Sequence, residues 1–193
     1  MKTKNLVIGG AVMAVGIGTA LALHSRKSIP KGAVPVKPFN KNKYMGKWYE
    51  IARLDFRFEK GLNNTTAFYS INEDGSIKVV NSGYNPETDQ VEQTVGKATF
   101  IGSPDEARLK VSFFGPFYSG YNVIAIDPDY KYALVAGKNL NYLWLLSRET
   151  SMPEDIMQSY LLKARNLGYD TSKLVWVEHD EYELIIEDVE IYM

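Results

Sequence analysis

Between Lys47 and Arg148 the chain is a succession of eight short runs of strand-forming residues. They are KWYEIARL, TAFYSI, IKVVNSGY, VEQTVGKATFI, ARLKVSFF, YNVIAI, YALVAG and YLWLLSR. The segments NEDG, NPETD, GSPDE, GPFYSG, DPDYK and GKNLN separate most of them, and each is rich in Gly, Pro, Asn or Asp, which supply the backbone geometry of tight turns. Such spacing predicts an antiparallel meander, either a sandwich or an up-and-down barrel. No long helical pattern interrupts it, which argues against a parallel α/β sheet. With 193 residues there is room for one such domain and some extensions.

The extensions are legible on both sides. Ser151 and Glu154 have capping-box spacing, with Pro153 in the first turn. Ile156, Met157, Tyr160, Leu161, Ala164 and Leu167 then fall on one helical face, and Gly168 follows as a stop. This predicts a C-terminal α-helix packed outside the barrel, with KLVWV (173–177) as a last strand. The barrel domain is expected over residues 39–177. Residues 178–193 form an acidic tail, read either as disordered or as an extra packed segment. Residues 24–38, with Pro30, Pro35 and Pro38, read as a linker. Residues 1–23 read as a signal peptide or a membrane anchor: a basic head precedes 18 uncharged residues, Leu6–Leu23, and Ala20-Leu21-Ala22 fits a cleavage site. As a helix that stretch spans about 27 Å, just short of a bilayer core.

Charge and composition exclude several classes. The net charge of −1 gives no electrostatic case for nucleic acid. The charges are unevenly placed, with eight Lys or Arg and no acid in residues 1–43, and seven acids and no Lys or Arg in residues 178–193. Without cysteine there are no disulfides, thiol nucleophiles or Cys-bound metals. The two histidines, His24 and His179, lie outside the eight runs, so no base–nucleophile pair and no metal-ligand spacing is visible. Neither a catalytic site nor a cofactor or metal is therefore expected.

Strict alternation of strand direction places NEDG, GSPDE and DPDYK at one end, together with Trp48 and Arg148. The segment DFRFEKGLNN lies at the other end with NPETD, GPFYSG and GKNLN. A guanidinium over an indole is a good cation–π pair, and Gly46 lets the chain fold tightly across that end. Trp48 therefore reads as a plug, which leaves the opposite end to be open.

These residues resemble the lipocalin family. Gly46-Lys47-Trp48 resembles its G-x-W motif. Asp127-Pro-Asp129-Tyr130, with Tyr132-Ala133, resembles the second motif, and Arg148 in LLSRE the third. Longer runs, including GKWYEIAR, GYNPETD and KVSFFGPFYSGYNVIAID, resemble the bacterial branch, which is similar to apolipoprotein D. The resemblance implies an eight-stranded barrel whose cup binds small apolar molecules. In the bacterial branch these are fatty acids or lysophospholipids, held in the cell envelope, periplasmic or outer-membrane associated. The closed end would comprise Gly46, Trp48, Asp129, Tyr130 and Arg148. That branch usually begins at a lipidated cysteine, which this sequence does not contain.

Period-two alternation assigns the lining. Inward residues are expected to be Glu50 and Ala52 on the first run, Ala67 and Tyr69 on the second, and Leu109, Val111 and Phe113 on the fifth. The sixth run would add Tyr121, Val123 and Ala125, and the eighth Tyr142, Trp144 and Leu146. A packed interior is the alternative for all of them. Glu50 needs a hydrogen bond from Tyr or Arg, or a raised pKa, and reads either as a ligand contact or as a structural carboxylate. The mouth would carry Phe56, Phe58, Phe117 and Tyr118, with Arg53, Arg57 and Lys60 nearby. Aromatics beside cations suit a membrane surface; the alternatives are a lid, a protein partner or a homodimer.

Overall fold

The structure is a computed structural model and describes residues 28–54 and 61–179. The readings made for residues 1–23, for Phe56, Arg57, Phe58 and Lys60, and for the tail beyond His179 lie outside the described residues.

A four-residue helix, α1 (Lys41–Tyr44), precedes the sheet, capped by Asn40, whose side-chain oxygen accepts the N–H groups of Asn42 and Lys43. Eight antiparallel strands follow: β1 (Gly46–Leu54), β2 (Asn63–Ile71), β3 (Ile77–Asn85), β4 (Gln90–Phe100), β5 (Arg108–Phe114), β6 (Phe117–Ile126), β7 (Tyr132–Gly137) and β8 (Leu143–Ser147). Each pairs with its neighbour in sequence. β1 pairs with both β8 and β2, which closes the barrel and removes its edges. The expected turn GPFYSG is shorter than read, because Phe117 and Tyr118 already belong to β6. A ninth strand, β9 (Leu174–Trp176), lies outside the barrel and pairs with Ala52–Leu54 of β1. Beyond it the Asn64 N–H donates to the Glu178 carbonyl at 3.0 Å, stitching the C-terminal segment to β2.

Helix α2 (Glu154–Asn166) packs Tyr160, Leu161 and Ala164 against the outside of the barrel. Its N-terminus does not use the expected capping box. Pro153 is the cap residue, no side chain caps the helix, and the Ser151 carbonyl accepts from the Ser147 hydroxyl instead. At the other end Gly168 N–H donates to the Arg165 carbonyl and Tyr169 N–H to that of Ala164, the Schellman arrangement.

Two cores result. One fills the lower barrel around Trp48, Tyr69, Ile77, Val79, Leu109, Val123 and Leu146. The other lies between barrel and α2, with Ile51, Ala52, Ile124, Leu134, Leu143 and Leu145. This explains the sequence of β7 and β8: YALVAG and LWLLS are apolar nearly throughout because both faces are covered. β4 is covered on one side only and exposes Val91 and Val95 among its polar residues.

Alternation is broken at two places, and each corrects an expectation. The pairing of β1 with β8 shifts register between Glu50 and Ala52. An extra residue on one strand flips the side chains that follow. Ala52 therefore faces α2 rather than the interior, and Arg53, expected near the mouth, turns inward and is fully buried. The same happens between Val123 and Ala125 on β6, which turns Ala125 out towards α2 and Ile126 in.

Candidate functional site

The closed end is built first. Tyr44 is carried into the barrel by α1, and its carbonyl accepts the Trp48 indole N–H at 2.8 Å. Trp48 is fully buried, and the Arg148 guanidinium lies over it, 3.9 Å from the ring centroid. That guanidinium also donates to the carbonyls of Lys47 (2.6 Å), Met45 (2.8 Å), Lys43 (2.9 Å) and Tyr130 (3.3 Å). One planar fork thus ties α1, the start of β1 and the β6–β7 turn together, a geometry that lysine does not reproduce. Gly46 is required beside it: its φ is +93°, and a Cβ there would come within 3.4 Å of an Arg148 nitrogen. Tyr130, at φ +59°, meets the Phe39 ring in a tilted contact (centroids 6.1 Å apart) and accepts the Asn40 N–H on its hydroxyl. Asp129 is exposed; the turn is organised by Asp127, whose carboxylate accepts the N–H groups of Asp129, Lys131 and Tyr132.

Above the plug the tyrosine hydroxyls converge. Tyr121 Oη lies 2.6 Å from Tyr44 Oη and 2.7 Å from Tyr69 Oη. Burial pushes the Tyr44 and Tyr121 hydroxyls well above the usual phenol range; Tyr44 and Tyr69 raise Tyr121 further, and Tyr69 raises Tyr44, against a smaller lowering by its hydrogen bond with Tyr121. Burial likewise raises Tyr160 and Tyr169 on the outer wall. A raised folded pKa favours the neutral form in the native state. The stability it contributes is whole below the unfolded phenol pKa of about 10 and is lost as the pH climbs from there through the folded values. In an alkaline titration these four tyrosines will appear as phenolate only together with loss of the far-ultraviolet strand signal. Tyr121→Phe, which removes the central hydroxyl, will cost about 1–3 kcal/mol in a denaturant melt.

Above this floor is a cavity of about 450 Å³. Of the residues assigned to the lining, Glu50, Ala67, Tyr69, Leu109, Val111, Phe113, Tyr121, Tyr142, Trp144 and Leu146 border it. Ala52 does not, for the reason given above. Val123 points inward but is fully buried in the core below. Phe117 and Tyr118 stand at the rim, 78% and 49% exposed, together with Phe114. Glu50 is held by Arg53 at 2.7 Å and by the Thr65 hydroxyl at 3.3 Å, and Arg53 also donates to the Leu62 carbonyl at 3.2 Å. The carboxylate is therefore matched within the wall, as a buried charge must be. Alternation did not single out Ile77, Val79 and Asn81 of β3, although their spacing by two was the available signal. Phe39, Tyr44 and Leu62 also line the cavity, and no strand alternation reaches them.

Among the described residues no group of His, Asp and Glu is placed to hold a metal ion. A β-barrel stoppered at one end, enclosing an apolar well open at the other, defines a calyx-type binding protein.

The chain belongs to the lipocalin family, its residues 39–179 matching the lipocalin-like domain. It is a binding protein rather than an enzyme. It is 48% identical over 167 residues to the outer membrane lipoprotein Blc of Citrobacter freundii, covering 86% of this chain and 94% of the relative. It is 50% identical over 149 residues to Blc of Escherichia coli K12, covering 77% and 84%. A plant relative, temperature-induced lipocalin-1 of Arabidopsis thaliana, is 40% identical over 148 residues, with 72% and 78% covered. Among solved structures, insecticyanin from the tobacco hornworm Manduca sexta superposes with a TM-score of 0.63 at 20% identity, covering 79% of this chain and 87% of that one, a likeness of fold.

Proposed function

We propose that the protein takes up single-chain lipids, fatty acids or lysophospholipids, and stores or carries them in the cell envelope. The observation that carries this reading is the well of about 450 Å³, lined by Leu109, Val111, Phe113, Trp144 and Leu146. That volume lies in the usual range for small-molecule sites. Burying some fourteen methylenes at roughly 0.8 kcal/mol each yields about 11 kcal/mol before ordering costs, enough for micromolar or tighter binding. The buried carboxylate of Glu50 already has its cation in Arg53, so the wall offers the ligand an apolar surface with a few hydroxyls.

An envelope location follows from the relatives named as outer membrane lipoproteins. This sequence has no cysteine on which a thioether-linked lipid could be built, and Leu6–Leu23 takes that place in the proposal, as signal peptide or anchor. The test is a titration of delipidated protein with a fluorescent fatty acid. Saturable uptake at about one ligand per chain is expected. Absence of saturation, for fatty acid and lysophospholipid alike, would overturn the reading.

A further inference from the structure

Two segments outside the barrel wall give the molecule a polarity along the barrel axis. The first is described from Ser28 on. Its carbonyl accepts from Asn122 Nδ2 at 2.9 Å, and its hydroxyl from an Arg108 guanidinium nitrogen at 3.1 Å. It packs on Gly120 so closely that a Cβ there would collide with the Ser28 carbonyl, and the same Cβ would lie 3.2 Å from Lys138 Cα in the β7–β8 turn. Gly120 and Lys138 both border the open cavity. From there the chain descends the outer wall, meets β5 and β6 through Val36, and reaches the closed end at Phe39. Ser28 therefore lies beside the rim. The second segment is β9, which runs antiparallel to β1 and so towards the closed end; His179 reaches the Glu50 carbonyl at 2.8 Å.

The charges are unevenly divided along the sequence. Residues 1–27 hold Lys2, Lys4, Arg26 and Lys27 and no acid, whereas residues 178–193 hold seven acids and no Lys or Arg. Only four residues separate Leu23 from Ser28, a reach of at most about 17 Å. The β5–β6 hairpin rises at the same rim, with Phe114, Phe117 and Tyr118 exposed and Lys110 Nζ 4.7 Å from the Tyr118 ring centroid.

From this placement we infer that the well opens onto a lipid bilayer: the β5–β6 hairpin dips into the interface on the side of the rim where Ser28 packs, and the stoppered end faces away. The inference rests on the lipid-binding reading and adds where the lipid enters. Aromatic side chains sit well at the headgroup level, and nearby Lys and Arg are drawn to anionic leaflets.

The absence of cysteine makes a direct test available. In the full chain, Gly115→Cys places a fluorophore at the hairpin tip, where a Cβ meets nothing within 4 Å. Lys131→Cys places one at the closed end, in the β6–β7 turn. Both are reconstituted in phosphatidylethanolamine–phosphatidylglycerol vesicles carrying a spin-labelled acyl chain. The expected result is a blue shift and loss of roughly half the emission at position 115, with position 131 unquenched, as for a group lying at headgroup depth. Equal quenching at both sites, quenching at 131 alone, or none at either would overturn the inference. So would protection of position 115 without quenching that grows with protein concentration, since a second copy would then cover the rim. Each labelled protein is also titrated with a soluble fluorescent fatty acid. Failure of that titration would sink the lipid-binding reading, whereas intact uptake without quenching would sink only the docking.

Discussion

Trp48→Ala will lower the melting temperature by roughly 10–15 °C, the largest stability loss expected of any single substitution at the closed end. The indole is fully buried, so its removal leaves a cavity at the base of the barrel, at a cost of about 3–5 kcal/mol. It also deprives the Tyr44 carbonyl of its donor and the Arg148 guanidinium of its aromatic face. Arg148→Lys separates the two contributions. It keeps the charge but cannot serve four carbonyls from one plane, and it should cost less, about 1–3 kcal/mol. Calorimetry of the two variants measures both. Equal melting temperatures for wild type and Trp48→Ala would show that the plug holds nothing together.

The second large effect falls on the ligand. Val111 lies mid-way up β5, is only partly buried, and faces the open well. Val111→Trp places an indole where about four methylenes of an acyl chain would lie, and fatty-acid affinity should fall about 100-fold. The new side chain enters empty volume instead of packed core, so the melting temperature should move by only a few degrees. Titration and melting together decide the outcome. Unchanged affinity in a folded variant would mean that the lipid binds elsewhere.

The two predictions draw on parts of the molecule that were unequally visible in the sequence. The closed end was legible because its residues are type-specific: a positive φ beside a guanidinium admits glycine, and the pairing of Trp48 with Arg148 followed from strand count alone. Strand order and direction were legible for the same reason, since each turn carries its own chemistry. Side-chain direction was not. The irregularities at Ile51 and Ile124 sit inside ordinary strand-like residues, and nothing in KWYEIARL or YNVIAI marks the extra residue. As a result Ala52 and Ala125 were assigned to the wrong side of the wall, and Arg53 was placed at the mouth although it is the partner of Glu50. The tyrosine cluster was hidden for a different reason: Tyr44 belongs to α1, before the first strand, and only the fold of α1 across the barrel brings it to Tyr121.

The barrel wall is backed unevenly, and this bears on which guests it admits. Strands β7 and β8 are sandwiched between the well and α2, whereas β4 has solvent behind Val91 and Val95. A side supported by a second layer resists displacement, and a single layer yields. A guest too bulky for the well should therefore displace β4 outward before β7 or β8, which makes β4 the elastic flank of an otherwise stiff vessel.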